Sequence, residues 1–228
     1  MKKKFLFAVP FVLITLAGYS QDTLNRELPP FTALQVNDKM TVQLIRADKE
    51  SVTIKADGLD PQQIQTTVEN NILIIGFPGI DYQKQKVTVN LYFRVIREMD
   101  IRNDADVITT SLFKADSLTV TLKYGGSLYL EADLGYLKSN VTGGGLLTAE
   151  GYATRHDIFV SSRSTVSAFD LESEIIRIEA TSGGKAKLSV ASELDAKATT
   201  GSYIAYKGDP AKKNISATAG SEIVASEE

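Results

Sequence analysis

The sequence predicts an all-β chain wound into a β-solenoid, a stack of coils each ~19 residues long. Three observations carry that expectation. Reading every nineteenth residue from Gly125 gives Gly125, Gly144, Arg163, Ser182, Gly201 and Gly220, a column that is mostly glycine. Runs of alternating apolar and polar residues stand before and after each member of the column, the period-2 signature of a strand with one buried face. No long stretch shows the 3.6-residue periodicity of an amphipathic helix. A fixed period near 20 marks a stacked architecture, because one short coil buries too little apolar surface to offset its ordering entropy and must share its core with its neighbours.

In chain order, Lys2, Lys3 and Lys4 precede an apolar run over residues 5–17, and Gly18 and Ser20 supply small residues ahead of Gln21. That combination reads as a secretory signal peptide over residues 1–20, leaving residues 21–228 as the exported domain. No later run is apolar for the ~20 residues that a spanning helix needs, so no transmembrane segment is expected in the mature chain. The chain has no cysteine and is expected to hold together without disulfides. Its formal net charge is −3, and the leader removes three lysines and no acid. So acidic a chain argues against a nucleic-acid partner, which requires a clustered basic face.

Residues 31–93 read as short strands: Met40, Val42 and Leu44 alternate, then Val52, Ile54 and Ala56, then Val87, Val89, Leu91 and Phe93. Breakers fall at Asp57-Gly58, Asn70-Asn71 and Phe77-Pro78-Gly79. Asp60-Pro61 has the look of a helix start, but Ile64, Thr66 and Val68 alternate, so a strand is expected there. No linker-like stretch follows, and the whole is read as one domain whose early coils are irregular and whose coils over residues 99–228 are regular. Residues 76–86 form the longest loop-like insertion, and Tyr82 within it is a candidate partner contact.

Regular units are expected to start at Met99, Leu118, Leu137, His156, Ile175, Leu194 and Lys213. Inward positions before the corner run from Val120 and Leu122 to Ile215 and Ala217, and those after it run from Leu128 and Leu130 to Ile223 and Ala225. The phase slips by one residue between Ile175 and Leu188, so a bulge or an adjusted turn is expected in that coil. Gly125, Gly144, Gly201 and Gly220 are read as structural corners, since glycine admits positive φ where the chain turns sharply.

Little in the sequence carries chemistry. His156 is the only histidine, which leaves no second one for a metal cluster or a relay. Asp104 and Asp106 sit in a corner and lack the spacing of a calcium repeat. Glu131 and Glu150 are one period apart, but the same spacing leads next to Phe169 and Leu188, so no acidic ladder is expected. The run Gly143-Gly144-Gly145 has no following Lys-Ser/Thr and is no phosphate loop. No catalytic, cofactor-binding or metal-binding residue is assigned. An outer column of Lys123, Thr142, Ser161, Ala180, Thr199 and Thr218 is mostly hydroxylated, and Thr142, Ser161, Thr199 and Thr218 join Tyr82 as candidate partner contacts. Tyr124, Tyr129, Tyr136, Tyr152, Tyr203 and Tyr206 are further platforms for a sugar ring, whether or not they share a face.

The opening strand over residues 31–36, Ile64-Gln65-Thr66 leading into Ile72-Leu73-Ile74, and the corners Tyr124-Gly125-Gly126-Ser127, Thr142-Gly143-Gly144-Gly145, Thr200-Gly201-Ser202 and Ala219-Gly220-Ser221 resemble the bacterial auto-transporter adhesins with a head GIN domain. Asn103-Asp104-Ala105-Asp106 and Ser162-Arg163-Ser164 depart from that family's small-residue corners. The resemblance implies a right-handed parallel β-helix in an exported protein, with adhesion as its role and no catalytic residues. The expected function is therefore that of a non-enzymatic solenoid of the periplasm or cell surface, without cofactor, which binds a cell-surface protein or glycan and admits a homo-oligomer. The alternative is a carbohydrate-binding or polysaccharide-active β-helix.

Overall fold

A computed structural model of the chain describes residues 22–77 and 86–226, so the expected signal peptide and Tyr82 lie outside the described residues. The described residues are all-β apart from one 3-10 turn. Its strands are β1 (Asp22–Glu27), β2 (Ala33–Val36), β3 (Thr41–Arg46), β4 (Ser51–Asp57), β5 (Gln65–Glu69), β6 (Ile72–Gly76), β7 (Lys86–Phe93), β8 (Glu98–Arg102) and β9 (Asp106–Thr109). They continue through β10 (Phe113–Lys123), β11 (Ser127–Val141), β12 (Leu146–Val160), β13 (Thr165–Ala180), β14 (Lys185–Ala198), β15 (Tyr203–Lys207), β16 (Lys212–Ala217) and β17 (Glu222–Ala225).

Each long strand is one coil bent into two limbs. In β11, Leu128, Leu130, Ala132 and Leu134 point inward, Gly135 and Tyr136 break the alternation, and Leu137, Ser139 and Val141 point inward again. First limbs stack in parallel from β9 through β11, β12, β13 and β14 to β15 and β17. Second limbs stack from β8 through β10 to β14 and β16. Inward residues form columns such as Leu128, Leu147, Val166, Ala186 and Ile204, each in register with the next coil and all buried. The result is a β-solenoid with one continuous core from Phe31 to Tyr206.

The early coils are mixed rather than purely parallel. β2 and β3 join the stack in parallel, whereas β4 runs antiparallel to β1 and β7, and β5 antiparallel to β6. Asn70 and Asn71, with φ of +51° and +65°, make the two-residue reversal between β5 and β6. The helix-like start at Asp60 is a single 3-10 turn, Pro61–Gln63, capped by the Asp60 carboxylate, after which β5 follows.

The corners share one geometry. In each, two consecutive residues take positive φ: Tyr124 and Gly125, Gly143 and Gly144, Ser162 and Arg163, Ser182 and Gly183, Thr200 and Gly201, Ala219 and Gly220. Hydrogen bonds from Gly126 N–H to the Lys123 carbonyl and from Gly145 N–H to the Thr142 carbonyl close them as two-residue turns of the mirror-image kind. The second residue of the first five of these turns also donates to the next coil, from Gly125 to Gly143, Gly144 to Ser162, Arg163 to Ser182, Gly183 to Thr200 and Gly201 to Ala219, all at 3.0–3.2 Å. The corner column is thus its own hydrogen-bond ladder. Arg163 occupies a slot that glycine fills in the neighbouring turns, at φ +60°. Arg163→Gly is expected to stabilise the fold by about 0.5–1 kcal/mol, because removing left-handed strain outweighs the added chain entropy. Thermal melting checks this, with a rise of roughly 1–4 °C as the expected result.

Pairing corrects the expected register in three places. Thr148 faces Ser167 but Glu150 faces Asp170, so β13 carries one extra residue opposite Ala149, in the segment that holds Phe169. The aligned unit start is therefore Ile176 rather than Ile175, and the corner glycine is Gly183 rather than Ser182. β14 then runs two residues short against the second limb of β13, pairing Ile176 with Leu194, which returns later coils to phase. Met99 pairs with Val120 rather than Leu118, because the turn between β9 and β10 lengthens that coil. At the far end, Ile215 and Ala217 are exposed rather than buried, and Ala225 is exposed too, since no described strand covers the last coil.

Candidate functional site

His156 is fully buried on the second limb of β12, and its Nε2 lies 2.6 Å from the Ser139 hydroxyl of the coil before. Its Nδ1 has no hydrogen-bond partner among the described residues. Burial pushes its pKa down to about 3, with the Asp157 charge pulling weakly the other way. The only histidine is therefore neutral and sealed from any substrate. Among the described residues no group of His, Asp and Glu side chains is arranged to hold a metal ion. The extra residue in β13 does bring Glu131, Glu150 and Asp170 into one outward column, which the 19-residue spacing misses because it places Phe169 there. The Tyr129 hydroxyl bonds to the Glu150 carboxylate in that column, and this bond raises the Tyr129 pKa.

The two outer faces differ in how their charges are used. On the second limb, signs alternate between coils in the column Lys138, Asp157, Arg177, Asp195, Asn214. Arg155 pairs Asp157 at 2.7 Å, Lys197 pairs Glu179, Lys212 pairs Glu193 and Asn214 donates to Asp195. Although partial burial raises the Asp157 pKa, hydrogen bonds from Arg155 and Tyr136 outweigh it and hold the carboxyl below its usual value. Stacked opposite charges of this kind favour the observed register and leave little net field.

The first-limb face is different. Leu146, Thr165, Lys185 and Tyr203 form one outward column, and Thr148, Ser167 and Lys187 the next. Together they line an open trough of about 710 Å³. Leu146 is 42% exposed and Tyr203 36%. Beside the trough, the Phe169 ring carries the Lys187 ammonium at 5.7 Å and the Lys207 ammonium at 5.6 Å. Lys185, Lys187 and Lys207 make no ion pair among the described residues. This trough with its free cations is the candidate site.

Thr142, Ser161, Thr199 and Thr218 do share a column, but it lies at the entry to the turns rather than on a broad face. Its fourth coil contributes Thr181, not Ala180, which is buried. Ser161 is itself buried, and the Thr199 hydroxyl donates to Thr181. The column is therefore largely occupied with its own contacts. The tyrosines scatter: Tyr129 and Tyr203 lie on the first-limb face, Tyr124 stands in a turn, Tyr136 bonds to Asp157, Tyr152 bonds to Glu174, and Tyr206 is buried.

Stacked limbs and left-handed two-residue corners define a β-solenoid with mixed early coils and a regular parallel stack after them. Over residues 30–210 the sequence matches the family described as "Putative auto-transporter adhesin, head GIN domain", and the chain belongs to that family. No curated protein matches the sequence. Among solved structures, the fold is similar to a putative adhesin from Bacteroides fragilis, with TM-score 0.79 and 17% identity over 91% of this chain and 97% of that one. A putative adhesin from Parabacteroides merdae is similar at TM-score 0.75 and 16% identity, over 92% of this chain and 98% of that one. A protein from Parabacteroides distasonis described as a putative lipid binding protein is similar at TM-score 0.73 and 15% identity, over the same shares of the two chains. At these identities the likeness is one of fold. No helix among the described residues is long and apolar enough to cross a membrane.

Proposed function

We propose that this chain is an exported, non-enzymatic solenoid of the cell envelope or cell surface, and that it works by binding a protein or glycan through its first-limb face. The observation that carries the reading is the contrast between the two faces: one alternates the sign of its charges from coil to coil and pairs several of them, and the other holds an exposed Leu146 and Tyr203 beside lysines that make no ion pair among the described residues. Binding groups on rigid stacked coils lose little entropy on association. Membership of an adhesin family and the leader-like residues 1–20 support an exported role. Ile215 is exposed on the last described coil, and that edge is where a second copy would pair.

Binding of the labelled protein to intact cells and to envelope fragments tests this reading. The expected result is saturable binding that falls about tenfold or more in the Leu146→Ala/Tyr203→Ala variant, with unchanged melting. Absence of binding by the wild type would overturn it. A polysaccharide-active protein is the second reading, and the column Glu131, Glu150, Asp170 is what favours it. Turnover of acidic polysaccharides that is lost in Glu150→Gln would replace the first reading with the second.

A further inference from the structure

We infer that the trough between Leu146 and Tyr203 is a binding site for an acidic polysaccharide, an inference that rests on the partner-binding role proposed above. Cations select the sign of the ligand. Lys187 and Lys207, from two successive coils, each place an ammonium against the Phe169 ring, 5.7 and 5.6 Å from its centroid, and neither makes an ion pair among the described residues. The ring's negative face attracts each ammonium and holds it beside the trough. Lys185 stands two residues from Lys187 on the same strand and the same face, on the order of 7 Å away. Successive anionic groups along one chain can therefore each meet an ammonium.

The floor and walls select a sugar over other anions. Thr148, Thr165 and Ser167 lay hydroxyls along the trough, and the Tyr203 ring and Leu146 side chain bound it. A pyranose ring matches that surface, with an apolar C–H face for Tyr203 and Leu146 and hydroxyls for the threonines and serine. An acyl chain would cover those hydroxyls without bonding them and would still lie open to water on one side, which costs free energy. Acidic neighbours set the limits of the site: Asp170 adjoins Phe169 and Glu222 stands beside Tyr203 in the last coil. Glu172 stands in the same outward column as Lys207, one coil beyond Ser189, so the anionic groups are directed to Lys185, Lys187 and Lys207.

Calorimetric titration of the whole purified protein with oligogalacturonate tests the site, with a neutral β-glucan and vesicles of phosphatidylcholine and phosphatidylglycerol as comparison ligands. Oligogalacturonate is expected to bind, more weakly as salt rises, and the β-glucan and vesicles are not. Affinity is expected to fall about tenfold or more in Lys185→Ala/Lys187→Ala/Lys207→Ala, at a few-fold for each lost pair. The control Lys138→Ala/Lys197→Ala on the other face should bind as the wild type does. No binding of oligogalacturonate, binding indifferent to the three lysines, or lysine-dependent binding to vesicles in its place would each overturn the inference. If wild type and triple variant bind cells equally, the site falls while the partner-binding role stands. If the wild type binds neither cells nor oligogalacturonate, both fall.

Discussion

Acidification from pH 7 to pH 5 is expected to cost the folded chain roughly 2 kcal/mol through His156 alone. The imidazole is fully buried between coils and its pKa is pushed down to about 3, whereas an unfolded histidine titrates near 6.5. Between those two values the unfolded chain binds a proton that the folded chain refuses. Stability is therefore highest above pH 6.5 and falls by about 1.4 kcal/mol per unit as pH drops through the window, a total of roughly 4 kcal/mol near pH 3. Asp157 acts in another window: its carboxyl is depressed below 3.8, so the stability that it contributes is present above that value and is lost only at lower pH. The neighbouring inward positions in the His156 column are Leu137, Ile176 and Leu194, which makes leucine the natural replacement. Removing the Ser139 hydroxyl at the same time avoids leaving it without its partner. Urea denaturation at pH 5 and pH 7 should show the loss in the wild type and little of it in Ser139→Ala/His156→Leu. Equal losses in both proteins would place the acid sensitivity elsewhere.

Gly151→Ala is expected to destabilise by at least about 3 kcal/mol, whereas Gly144→Ala should cost only about 1 kcal/mol. Both glycines have positive φ, +105° and +80°, but their surroundings differ. A Cβ at position 151 would lie 2.1 Å from the Ala132 carbonyl oxygen of the preceding coil, and that backbone is held by the ladder on both sides. A Cβ at position 144 would meet nothing within 4 Å, so only the strain of the left-handed backbone remains. Melting temperatures should fall by roughly 6–12 °C for Gly151→Ala and 2–4 °C for Gly144→Ala. Similar shifts for the two would mean that the coils can separate at Gly151 without loss. Gly208 stands in the same kind of place, with a Cβ 2.0 Å from the Val190 carbonyl oxygen.

These two sites also show how far a linear reading reaches. The corner glycines are visible because they recur at one spacing, yet Gly144 itself is crowded by nothing. From Gly151 the 19-residue spacing leads through Asp170 and Ser189 before Gly208, too broken a column to mark it, and its need for glycine comes from a carbonyl nineteen positions earlier that only pairing brings near. His156 lies at an inward position of the period, so its burial could be read from alternation, while its Ser139 partner depends on how two coils overlie. The acidic column and the lysine cluster were hidden by a single extra residue. Because Phe169 shifts the count from 19 to 20, Asp170 rather than Phe169 follows Glu150, and the freed ring gathers Lys187 and Lys207.

Periodicity in the sequence was enough to specify an all-β stack, its coil length, its sharp corners and most of its inward side chains. Those features are set within one coil, by alternation and by the backbone that glycine permits, and every coil repeats them. Which outward residues share a face, which glycines are obligatory and which end of the stack lies open depend on contacts between coils. One inserted residue changes the partners of the residues after it until a shortened coil restores the phase, so these properties exist only once the coils have been laid in register.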